Sequence, residues 1–215
     1  MVQSKIFPLL ALLFLLSWAT NASAQRPIKI GVRGGINFAS GSVTNFPAGS
    51  DISSRTAFGL GGVAEIGLSD VIYLQAEPRY IQKGGKIAYS LPVSGIAKFN
   101  YFEIPISVKA QFGTSALKPY IFAGPTLSFL LMAESESEFQ GQISNNDIKN
   151  ETASTELSLD IGAGVACEIA PTTSITADIR YTLGMTQIAK PSAPNDKSTW
   201  NSRDVKLFVG VLFTL

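Results

Sequence analysis

The sequence predicts an all-β fold: an eight-stranded antiparallel up-and-down transmembrane β-barrel, preceded by a cleavable signal peptide. Three observations carry this reading. Apolar and polar residues alternate with a period of two in eight separate runs of roughly a dozen residues each. Soluble strands average about 5–6 residues, whereas tilted membrane strands need about 9–11. No charged residue falls on the apolar face of any run, and the glycines collect on the charged face, at Gly31, Gly35, Gly59, Gly61, Gly67, Gly162, Gly164, Gly184 and Gly210. A lipid-facing side must exclude charge. The crowded inside of a narrow barrel needs small residues beside large ones.

Each element follows from the alternation. The segment 1–24 reads as the signal: Lys5 gives the positive start, Ile6–Trp18 the apolar core, and Ala22-Ser23-Ala24 the cleavage site. The domain is then 25–215. Strand one (28–38) sets Ile30, Val32 and Ile36 against Lys29, Arg33 and Asn37. Strand two (56–68) sets Phe58, Leu60 and Ile66 against Gly59, Gly61 and Glu65; strand three (71–81) sets Ile72 and Leu74 against Tyr73, Gln75, Glu77 and Arg79. Strand four, YFEIPISVKAQF (101–112), alternates Phe102, Ile104, Ile106 and Val108 with Glu103, Ser107 and Lys109. Strand five (118–132) places Ile121, Leu127 and Phe129 opposite Thr126 and Ser128. Strands six (156–169), seven (174–185) and eight (204–215) repeat the pattern, with Glu156, Ser158, Asp160, Glu168, Asp178, Arg180 and Lys206 on the polar side. Pro78, Pro105 and Pro125 each remove a ladder donor, so local bulges are expected there.

The connections alternate in length. Those at 40–55, 82–97, 133–155 and 186–203 are long; those at 69–70, 113–117 and 170–173 are short. Outer-membrane barrels have short periplasmic turns and longer external loops, so the long set is expected outside the cell. The segment 133–156 is acidic, with Glu134, Glu136 and Glu138 alternating, so strand five is expected to continue past the membrane as a solvated hairpin or a binding surface. Lys83 and Lys86 are placed to pair with it.

The inward charges are Lys29, Arg33, Arg79, Lys109, Arg180 and Lys206 against Glu65, Glu77, Glu103, Asp160, Glu168 and Asp178. Eight strands leave room for side chains and little else, so these charges must pair. Arg33 with Glu65 and Arg79 with Glu103 are the pairs that strand adjacency suggests. The network reads as a structural plug or, alternatively, as an ion or proton path.

Composition excludes several functions. The net charge of +1 gives no reason to expect nucleic acid as a partner. The chain has no histidine, hence neither the commonest general base nor the commonest transition-metal ligand. Cys167 is the single cysteine, so no internal disulfide forms. No catalytic residue, cofactor or metal is expected.

LQAEPRYIQKGGK (74–86), YFEIPISVKAQF (101–112), KPYIFAGPTLSFLL (118–131), IGAGVACEIA (161–170) and RYTLGMTQI (180–188) together resemble the PorT-like outer-membrane β-barrel family of Gram-negative bacteria. The resemblance spans nearly the whole mature chain and implies an eight-stranded barrel in the outer membrane. The family's named member is associated with protein secretion, a role that is not carried over. The expected function is therefore that of a small, non-enzymatic outer-membrane barrel, structural or accessory, acting through its loops. The alternatives are a narrow ion or small-solute channel and a soluble lipocalin-like barrel. Expected partners are outer-membrane lipid, the export and barrel-assembly machinery, and envelope proteins that meet the loops.

Overall fold

The computed structural model describes residues 26–44, 51–88, 93–139, 141–190 and 199–215. The signal segment 1–24 lies outside the described residues.

Among the described residues twelve strands form one sheet system: β1 (Ile28–Ala39), β2 (Gly41–Thr44), β3 (Asp51–Ser53), β4 (Arg55–Gly67), β5 (Ile72–Ala76), β6 (Arg79–Ala88), β7 (Val93–Gln111), β8 (Leu117–Phe139), β9 (Gln142–Asp147), β10 (Thr155–Ala170), β11 (Thr173–Gly184) and β12 (Thr199–Thr214). Eight positions make a ring: β1, β4, the β5/β6 pair, β7, β8, β10, β11 and β12. The ring closes where β1 meets β12, antiparallel, from Lys29 opposite Thr214 to Phe38 opposite Val205. Closure leaves the ring itself without an edge, the condition for crossing a bilayer with strands. Among the described residues no helix is long and apolar enough to cross a membrane.

The two faces are inverted relative to a soluble protein. Val32, Leu60, Val108, Ile179 and Val209 are each more than half exposed on the outside, while Arg33, Glu65, Arg79, Glu103 and Lys206 are at most 1% exposed inside. That is the answer demanded by lipid outside and charge inside. The inward glycines supply the space. A Cβ on Gly210 would lie 2.3 Å from Cγ of Arg33, and one on Gly162 would lie 2.4 Å from the Phe122 ring.

At one end the strands are joined by tight turns. After β4 the hydroxyl of Ser69 accepts from the backbone N–H groups of Val71 (3.3 Å) and Ile72 (3.0 Å). After β7 the chain reverses through Gly113 at φ +90°, a conformation that suits glycine.

The other end departs from expectation. The segment 82–97 is not a loop: β6 runs to Ala88 and β7 starts at Val93, paired from Arg79–Glu103 to Ala88–Ser94. β8 continues to Phe139 and returns as β9. Ladder bonds keep forming beyond the apolar band because water tolerates any side chain on the outward face. One bulge accompanies this extension. Asn100 pairs with Met132 but Tyr101 with Leu130, leaving Leu131 as the extra residue in β8.

The prolines do not produce the expected bulges. Register is the same on both sides of each. Pro105 stands opposite Thr126 and Val108 opposite Ala123 with no shift, and Pro125 stands opposite Leu159 within an unbroken β8–β10 register. At Pro78 the strand is interrupted between β5 and β6, yet Glu77 N–H donates to Pro105 O at 3.1 Å and Pro78 O accepts from Gly62 N–H at 3.0 Å. The missing donors cost a ladder bond each, and the flanking pairs hold the register without an inserted residue.

Candidate functional site

Strand alternation aims every second side chain of eight strands at one axis, and the result is a column of alternating charge. At the short-turn end Lys109 Nζ contacts Glu65 Oε1 at 2.7 Å. Arg33 follows, with Nη2 4.0 Å from Glu65 and Nη1 2.8 Å from Asp178 and 3.3 Å from Glu77. Asp178 and Glu77 are also held by Arg180, at 2.6 and 2.9 Å. Tyr120 donates its hydroxyl to Asp178 at 2.9 Å. Further along, Arg79 joins Glu77 (3.2 Å), Glu103 (2.6 Å) and Asp160 (2.7 Å). Lys83 then bridges Glu103 (2.6 Å) and Glu156 (3.0 Å). Lys206 lies at longer range, 3.6 Å from Glu103 and 3.8 Å from Asp160.

Aromatic rings fill the gaps. The Arg180 guanidinium lies over Phe208 (4.7 Å) and Phe122 (4.9 Å), and Lys109 lies over Tyr120 (4.3 Å). Such stacking satisfies a desolvated cation on the face that no carboxylate covers.

Of the expected inward charges, the structure brings Arg33, Glu65, Glu77, Arg79, Glu103, Lys109, Asp160, Asp178, Arg180 and Lys206 into this column. Lys29 is buried near it and lies 5.1 Å over the Tyr73 ring. Glu168 is a correction. It is 40% exposed and pairs with Lys118 at 2.5 Å, because it sits at the short-turn end of β10, where the alternation has run out of barrel. Arg33–Glu65 is the longest contact of the column, and Arg79–Glu103 is among the shortest.

Two inward charges escaped the sequence reading, Lys83 and Asp204; with Glu156, which the alternation of strand six already placed on the polar side, they are about 1% exposed. Lys83 was expected in an outer loop facing the acidic segment. It points inward because β6 continues the phase of Arg79 and Ile81, and it is Lys98 that reaches Glu136, at 2.5 Å. The signal was present in the sequence as Arg79-x-Ile81-x-Lys83 and Asp204-x-Lys206. With these three, the buried charges among the described residues number seven bases, Lys29 included, and seven acids, so the interior is neutral.

Above the column sits an apolar cap. Ile81, Phe99, Tyr101, Trp200, Phe208 and Ile188 form one buried cluster. Phe99 and Trp200 meet edge to face at 5.7 Å. Ile188 belongs to a strap after β11, tied by Ile188 N–H to Trp200 O (2.8 Å) and by Ala153 N–H to Ile188 O (2.7 Å). Outside the cap the β8 arm of the β8–β9 hairpin pairs with β7 as far as Phe139 opposite Val93, and every β9 residue is exposed. Among the described residues no group of carboxylates and cysteine is arranged to hold a metal ion.

The barrel has solved counterparts. Neisserial surface protein A (NspA) superposes with a TM-score of 0.50 at 20% identity, covering 86% of this chain and 96% of that one. The outer membrane protein OprG from Pseudomonas aeruginosa gives a TM-score of 0.56 at 15% identity, covering 88% and 97%. At such identities the likeness is one of fold. No curated protein sequence matches the chain significantly. The inverted faces and the closed ring set aside the soluble-barrel alternative, and the family match places the protein in the outer membrane of a Gram-negative bacterium. Residues 18–190 match the outer membrane protein beta-barrel domain family, and the chain belongs to that family.

Proposed function

We propose that this protein is a non-enzymatic barrel whose interior is a structural plug and whose outer extension carries its interactions. The carrying observation is the neutral ion-pair column, with Arg33, Arg79 and Arg180 essentially fully buried and the Ile81–Phe99–Trp200–Ile188 cap above it. Charges held by two or three partners at 2.6–3.3 Å brace opposite walls of the ring. The absence of histidine from the chain supports the non-enzymatic reading. The motifs around Pro78, Pro105 and Pro125 support a PorT-like assignment within the family, with the assembly machinery and envelope proteins as partners.

Planar-bilayer recording on the refolded protein tests the plug. The expected trace shows no unitary conductance steps. Steps of uniform size would replace this reading by the narrow channel, with the titratable column as its path.

The orientation is tested by cysteine labelling on intact cells, in a Cys167→Ser background. Cysteines at Ser42, Ser144 and Thr186 are expected to react with a membrane-impermeant reagent, and those at Ser69 and Thr172 to react only after the outer membrane is permeabilised. The reverse pattern would turn the barrel over.

A further inference from the structure

The sheet does not close everywhere. Beyond the ring, β9 lies at one end of the strand order, and among the described residues it pairs with β8 alone. Its six residues, Gln142–Asp147, are all exposed. Natural edges are blunted by proline, lysine, a bulge or a cover. β9 contains no proline or lysine, and its pairing with β8 is regular from Glu134–Asp147 to Phe139–Gln142. The turn that starts it includes Gly141 at φ +80°. In an antiparallel hairpin closed by Phe139 opposite Gln142, ladder bonds fall at alternate residues. The backbone groups of Ile143, Asn145 and Asp147 therefore point away from β8.

The same three residues share a face with the acids of β8. Across the strands Glu134 stands opposite Asp147, Glu136 opposite Asn145 and Glu138 opposite Ile143. The span 133–147 contains four acids and no Lys or Arg. Lys98 answers Glu136 at 2.5 Å. Glu134 has Lys98 directly opposite it in β7 and Asp147 directly opposite it in β9, so β9 carries the acid of this row that lies farther from the base. Among the described residues Asp147 Oδ1 accepts a single hydrogen bond, from the backbone N–H of Lys149 at 2.8 Å. Ile143, at 64% exposure, is the one apolar side chain of the strand.

Building on the loop-mediated reading above, we propose that β9 is a docking edge for an extended, basic segment of a partner protein, which adds to the sheet as a further strand. Main-chain bonds to Ile143, Asn145 and Asp147 give the binding, and alternate side chains give the selectivity. A base in the added strand beside Asp147 flanks that acid as Lys98 flanks Glu134. An apolar residue four positions away covers Ile143. The recognised pattern is basic-x-polar-x-apolar along one face.

The probe is a short synthetic peptide of Thr and Ser carrying one Lys and, four residues away, one Val. A second peptide has Glu in place of Lys. Binding is read by fluorescence anisotropy on the refolded barrel. The Lys peptide is expected to bind wild type in preference to the Glu peptide. Asn145→Pro, which removes an outward N–H without taking a β8 ladder bond, is expected to weaken binding by about tenfold or more. Asp147→Lys is expected to reverse the preference between the two peptides. No binding to wild type, equal binding to Asn145→Pro, or an unreversed preference overturns the proposal. A photo-crosslinking residue placed in turn at Ser144, Ser42 and Thr186 in native envelopes separates the two levels. Crosslinks from Ser42 or Thr186 but none from Ser144 defeat the β9 edge and leave the loop-mediated reading intact. No crosslink from any of the three defeats both.

Discussion

Arg79→Ala is expected to destabilise the barrel by about 3–5 kcal/mol, the cost of removing one member of a buried ion pair. The size follows from what is left behind. Arg79 is at the centre of the column, in contact with Glu77, Glu103 and Asp160 at once and packed 5.5 Å over Phe208. Its loss leaves three carboxylates facing one another inside a ring that gives them little access to water. Arg180 still holds Glu77, and Lys83 still holds Glu103. Asp160 loses most, because Lys206 reaches it only at 3.8 Å while the Thr182 hydroxyl donates at 2.6 Å. Adding Asp160→Asn to Arg79→Ala should therefore recover part of the loss, and the recovery measures the coupling. Lys206→Ala, with both of its contacts at 3.6 Å or more, should cost less than Arg79→Ala. The measurement is reversible urea unfolding in lipid vesicles. Trp200, the only tryptophan after residue 24, sits in the cap and reports the transition. A loss below about 1 kcal/mol for Arg79→Ala would mean that the column does not brace the walls.

This column was legible in the sequence wherever both faces of a strand were in contrast. Glu103 lies between Phe102 and Ile104, and Asp178 between Ala177 and Ile179, so a period of two identifies them without ambiguity. Where the strand leaves the lipid, the contrast fades. Outward residues such as Lys86 and Lys98 no longer need to be apolar, and inward ones such as Ala97 and Phe99 become the apolar set. The phase thus inverts its chemistry at the rim, and the pattern that announced β6 and β7 lower down disappears while the ladder continues. That is why the sequence alone reads Lys83 as a loop residue. β9, polar on both faces except at Ile143, carries no periodic signal at all. Ile188 was equally hidden, since an isolated Ile-Ala step in a largely polar loop gives no hint that it plugs a mouth built by Phe99 of β7 and Trp200 at the far end of the same connection. The prolines mislead in the opposite sense. They promised bulges, and the ring absorbed them because neighbouring pairs on both sides fix the register.

Ile179→Lys is expected to cost about 2–4 kcal/mol, through the outer face rather than the inner one. Ile179 is midway along β11, 52% exposed, with Ala163 and Leu207 as its neighbours across the two ladders. All three point to lipid, and no charged residue shares that face of β11, so the new ammonium has no partner to meet. It must stretch toward an interface or draw water and headgroups inward. Either route costs more at the centre of the bilayer than at its edges, so the cost should depend on depth. Ile175→Lys, on the same face but next to the short turn at 170–173, should cost only about 0–1 kcal/mol. Ile179→Leu serves as the volume control and should be near neutral. The variants are compared by the same vesicle unfolding, with membrane-inserted protein separated from unfolded protein before each reading. A Lys at Ile179 that is as well tolerated as one at Ile175 would remove the depth dependence, and with it the claim that this face meets hydrocarbon. A Lys penalty at Ile179 alone, beside a comparable penalty for Arg79→Ala, would mean that the barrel is held from both sides of its wall. Lipid selects the outward residues, and mutual charge selects the inward ones.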